Sequence, residues 1–177
     1  MLSGKNHTNK TVLIVFFIMV MLHIPHIAAA KIAWLPLDKL VALSVHIVIA
    51  QVQAVSVVKS DSKTGIITLK NNLTVIESLK GSWPKEKPLV LTTTKFANPA
   101  KYWEEDNVEL PSAGSKVLLF LEKVDRDMLL PANGIQGVWP MMGDEPVGAG
   151  TGTSLDQVRE IVQKQVNMPI SAKEAKE

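Results

Sequence analysis

The chain has 177 residues, a formal net charge of +2 and no cysteine. The missing cysteine excludes disulfides, thiolate-based zinc sites and a cysteine nucleophile. The slight charge carries no clustered Lys/Arg footprint of the kind that nucleic acid requires.

Residues 1–30 read as a secretory signal peptide. Lys5 and Lys10 mark a basic start, Thr11 to Leu22 is a short apolar run, Pro25 breaks it, and Ala28-Ala29-Ala30 offers a small-residue cleavage site. The apolar run is shorter than the ~20 residues that span a bilayer as a helix. The alternative is an uncleaved N-terminal anchor that tethers an extracytoplasmic accessory domain. With the leader removed, 17 of the 19 basic residues remain against 17 acidic ones. Three of the four histidines, His7, His23 and His26, leave with it, so His46 is the only imidazole in the exported part.

Residues 31–170 read as one domain, followed by a charged disordered tail at 171–177. Leu35 to Ser44 is expected to hold a short helix, with Pro36 in its first turn and Leu37, Leu40 and Val41 on one face. Val45 to Val58 and Ile66 to Leu79 follow as two long strands around a polar turn at Lys59–Gly65. Asn71-Asn72 is the expected bulge of the second. Pro88 to Thr94, Ser115 to Glu122, and a stretch within Met128 to Trp139, interrupted by Asn133-Gly134 and Gly137, supply three more strands. Ser154 to Val166 closes the chain as a helix, with Ser154 and Gln157 in capping-box spacing.

This order predicts a mainly β, all-β class fold: a five-stranded antiparallel OB-like barrel with an N-terminal and a C-terminal helix. Four segments, HIVIAQV at His46–Val52, TVIESLKG at Thr74–Gly81, KVLLFLE at Lys116–Glu122 and NGIQGVW at Asn133–Trp139, resemble a group of exported bacterial proteins. Those are similar in plan to the OB-fold domain of the tissue inhibitors of metalloproteinases and to netrin-like modules. The resemblance implies an OB barrel and nothing about chemistry. The inhibitors use an N-terminal cysteine on the protease zinc, whereas the expected mature chain here starts at Lys31.

A triad needs His46 beside a nucleophile and an orienting acid, and no G-x-S-x-G elbow accompanies it. A hydrolase using His46 or the carboxylates is therefore the alternative reading. Glu104-Glu105-Asp106 with Glu109 is the densest acid group, and a hard cation is the ligand it would take. The EF-hand spacing is absent, however, and the group reads better as a solvated helical turn or loop. The glycines of Gly148–Gly152 lack phosphate-loop spacing and read as a flexible connection. Asn72-Leu73-Thr74 fits a glycosylation acceptor.

The expected role is a secreted or periplasmic non-catalytic binding module, with no cofactor and no metal. Trp83, Tyr102, Trp103, Gln136 and Trp139 are the candidate binding residues, because they fall in or beside loops. The expected partner is a protein or glycan, not nucleic acid, and the expected state is a monomer. Membrane contact is expected only if the leader is retained.

Overall fold

The computed structural model describes residues 33–98, 107–125 and 128–167. The leader, the tail, Tyr102, Trp103 and Glu104–Asp106 lie outside the described residues. The elements in chain order are α1 (Leu37–Leu43), β1 (His46–Ser60), β2 (Ile66–Lys80), β3 (Leu89–Phe96), β4 (Lys116–Asp125), β5 (Met128–Pro131), β6 (Val138–Met142), β7 (Glu145–Pro146) and α2 (Leu155–Val166).

All pairings are antiparallel, and the sheet runs β3-β2-β1-β4-β6-β7, with β5 also paired to β4. The architecture is mainly β, as expected. The closed five-strand count is corrected. Seven strands form an open sheet, and no ladder among the described residues joins β3 to β5. The stretch at Met128–Trp139 is two strands, because Asn133 at φ 53° and a 3-10 turn at Gly134–Gly137 break it.

β1 and β2 are each 15 residues long, far beyond the usual 5–6. They bend through bulges. Leu79 and Ile76 are the extra residues on β2, and Gln53 and Val58 on β1. The irregularity expected at Asn71-Asn72 thus falls on the partner strand, at Gln53 opposite Asn72. Asn71 itself points inward and is fully buried, donating from Nδ2 to the Leu91 carbonyl at 3.2 Å and the Thr93 hydroxyl at 3.0 Å.

The first half of β1 is apolar on both faces because each face meets a different core. Val48, Ala50 and Val52 pack with Leu73, Leu91, Val117, Leu119 and Leu121. Ile47 and Ile49 pack on the other side with Leu118, Phe120, Trp139 and the helical residues Leu40, Val41, Val158 and Val162. β4 alternates in the same way, with Val117 and Leu119 on one side and Leu118 and Phe120 on the other. Period-two alternation thus splits one hydrophobic run between two cores.

α2 starts with the expected capping box: Gln157 N–H donates to Ser154 Oγ at 3.2 Å, and Ser154 N–H to Gln157 Oε1 at 2.8 Å. Arg159 reaches back to both carboxylate oxygens of Glu77, at 3.1 and 3.0 Å. α1 is shorter than its sequence reading. It stops at Leu43, where Ser44 Oγ donates to the Leu40 carbonyl at 2.7 Å. No helix among the described residues is long and apolar enough to cross a membrane.

Candidate functional site

The β2–β3 connection turns on Gly81, whose φ is +71°. A Cβ there would lie 2.5 Å from His46 Nδ1 and 2.7 Å from the Val45 carbonyl oxygen. Glycine therefore lets the connection press against the start of β1. Two residues on, the Trp83 indole N–H donates to the Lys87 carbonyl at 2.8 Å, which staples the connection into a compact turn. The Lys87 ammonium lies 5.5 Å from the Trp83 ring centre, a cation–π contact. The His46 imidazole meets the same ring at near right angles, with centroids 5.4 Å apart. Trp83 is half-buried and packs against the core that holds Val48 and Leu89.

These residues border a half-open cleft of about 430 Å³. Leu89 and Val90 of β3 form one side and Leu129 of β5 the other. Lys87 and Lys123 supply the charges, and no acidic side chain among the described residues lines it. A second cleft, of about 500 Å³, lies further along β3, at Thr92–Thr94, Phe96, Val108 and Leu130. The two mark a single side of the molecule, where β3 faces β5 without a ladder.

His46 Nδ1 is buried and has no hydrogen-bond partner among the described residues. Protonating it would bury a charged donor with no acceptor. Burial, and then the neighbouring Lys87 ammonium, hold the imidazole pKa below its ordinary value. At neutral pH the ring is uncharged. Ser44, the hydroxyl nearest in sequence, donates to the helix end instead, so His46 and Ser44 form no nucleophile–base pair.

The other candidates separate. Gln136 is 3 % exposed. Its Oε1 accepts from Leu35 N–H at 2.9 Å and from Asn133 Nδ2 at 2.6 Å, and its Nε2 donates back to the Leu35 carbonyl. The side-chain amide thus imitates a strand partner for the segment before α1. Trp139 is 3 % exposed, packs tilted against Phe120 with ring centres 4.7 Å apart, and donates from its indole nitrogen to the Gln136 carbonyl at 2.7 Å. Both are interior residues, and neither shares a surface with Trp83. Tyr102 and Trp103 fall outside the described residues.

The glycine segment is not a loose connection. A Cβ at Gly150 would lie 2.5 Å from the Trp139 ring, so Gly150 is where backbone meets the indole face. Of the acid group, Glu109 pairs with Lys95 at 2.6 Å. No cluster of three or more His, Asp or Glu able to hold a metal occurs among the described residues. Asn72 sits within the β2 ladder, opposite Ala54 and Val90, so the acceptor triplet lies in a strand rather than a loop.

Sequence reasoning did not single out His46, Lys87 and Lys123 as binding residues. The P-K-E-K-P spacing after Trp83 was the available signal for Lys87. Lys123 is brought in only by the β4–β5 fold. No family model matches this chain, and no curated protein matches it.

Proposed function

We propose that the chain is an extracytoplasmic, non-catalytic binding module, exported by the leader at residues 1–30, whose recognition face is the cleft beside Trp83. The supporting plan is OB-like: a β1-β2-β3 meander, β4 returning to β1, and β5 approaching β3. OB barrels recognise ligands along strands two and three and the adjoining loops. The observation that carries the reading is that Trp83, Leu89 and Val90, on those elements here, border the cleft with His46. Trp83 is held by its indole hydrogen bond and by its contacts with Lys87 and His46, so it offers a pre-ordered apolar wall at little entropic cost.

The test is amide mapping by nuclear magnetic resonance against a panel of short peptides and oligosaccharides. Specific ligands are expected to shift the amides of His46 and Trp83–Val90, and Trp83→Ala to abolish the effect. Ligands that bind elsewhere, unaffected by that substitution, would overturn the reading. N-terminal sequencing of the protein recovered outside the cytoplasm is expected to begin at Lys31. A retained leader would favour the tethered form, with membrane contact through it.

A further inference from the structure

The charge around the cleft is one-sided. Lys87 and Lys123 come from different strands and connections, and among the described residues no carboxylate lines the space between them. Neither ammonium forms an ion pair among the described residues, although Lys95, Lys116 and Lys164 each do, and so does Arg159. The lining is otherwise largely apolar, from Val45, Leu89 and Leu129 together with the Trp83 ring. The ring's own donor is spent on the Lys87 carbonyl, so Trp83 offers a π-face and not a hydrogen bond. A pocket of this kind, an apolar body with a few convergent polar groups, is the common form of a small-molecule site. About 430 Å³ is enough for a ligand of one or two rings.

We infer that this cleft binds a small organic anion, with a flat apolar body against Trp83 and its acidic head between Lys87 and Lys123. The inference rests on the cleft being the recognition face and adds the class of ligand. The apolar body supplies affinity through buried area. The two cations supply selection, because a head without charge leaves their attraction unused. The attraction acts across a half-open site, so salt weakens it.

The probes are 8-anilinonaphthalene-1-sulfonate and its uncharged relative N-phenyl-1-naphthylamine, titrated into the full chain and located by the amide shifts of His46, Leu89 and Val90. The sulfonate is expected to bind more tightly than the neutral probe, and less tightly at 0.5 M salt. Lys87→Met with Lys123→Met keeps the aliphatic stems and removes both charges. It is expected to weaken the sulfonate about tenfold, with the neutral probe unchanged. If both probes bind at the cleft with equal affinity and the double variant changes neither, the anion inference falls and the recognition face stands. If neither probe shifts the cleft amides, or Trp83→Ala leaves the shifts intact, the inference falls together with the reading it rests on. Thermal melts of each variant separate these outcomes from unfolding.

Discussion

Gly81 lies directly against His46: a Cβ on the glycine would meet the imidazole Nδ1 at 2.5 Å, with the Val45 carbonyl oxygen at 2.7 Å. The contact joins the β2–β3 connection to the root of β1, and it holds Trp83 where the cleft needs it. Gly81→Ala combines a left-handed backbone at φ +71° with this collision. We expect a loss of about 2–4 kcal/mol in denaturant unfolding. Trp83 fluorescence should shift to the red as its wall loosens. A loss under 1 kcal/mol would show that the connection can move away freely.

The acid sensitivity of the fold should be traceable to His46. Its pKa is lowered by burial and by Lys87, so the unfolded chain takes up the proton first as pH falls. Stability contributed by the neutral ring is complete above the ordinary value of 6.5 and is lost below it, until the native ring also protonates. Asp61 and Glu160 titrate below their ordinary 3.8 and 4.5, outside this window. Urea midpoints between pH 8 and 5.5 should therefore fall for the wild type and fall less for His46→Phe. Parallel curves for the two proteins would refute the assignment.

Gln136 should matter for folding rather than for binding. Its amide is the partner of both Leu35 backbone groups, and it is buried. Gln136→Ala leaves those groups unpaired, at an expected cost of about 2–3 kcal/mol. Hydrogen exchange at the Leu35 amide should accelerate more than at Val48 or Leu119. Ligand affinity at the Trp83 cleft should change less than twofold once folded protein is selected. A large loss of affinity in folded variant would return Gln136 to the binding surface.

Among the described residues, the far half of β1 is an open edge on the side where β4 pairs with its first half. β4 pairs with His46–Gln51 only, and beyond Val52 the strand presents Val57 and Val58 at 63 % and 62 % exposure. Such edges template association unless they are blunted, as the bulges at Gln53 and Val58 and the charge of Lys59 do here in part. Val57→Lys should leave folding stability within about 0.5 kcal/mol while slowing aggregation on heating, measured by light scattering. Unchanged scattering would show that the existing devices already suffice.

Much of the fold was legible because it depends on local rules. The two long strands announced themselves through β-branched runs, and the terminal helix through its Ser154–Gln157 spacing. The double-sided apolar face of Val45–Ala50 could be seen, but not that helices would cover one side of it. The interruption of Met128–Trp139 at Asn133-Gly134 and Gly137 was legible, but not that it leaves two separate strands, because both pair with β4 only through the tertiary fold. The candidate site was legible in Trp83 and in the strand read at Pro88–Thr94, whose Pro88, Leu89 and Val90 line the cleft. Gln136 and Trp139 carry the same surface-like chemistry in sequence, and they differ from Trp83 only in what packs over them.

By itself the sequence determined which segments extend, where the final helix begins, and which chemistries have no residues to perform them, since those follow from side-chain type and near-neighbour spacing. Only the tertiary structure decided that His46, Trp83, Lys87 and Lys123 share one cleft while Gln136 and Trp139 turn inward. The physical reason is that the cleft joins residues up to 84 positions apart in the chain, from Val45 to Leu129. Their meeting depends on how bulged strands bend and which face of each finds a core, and no local signal encodes that.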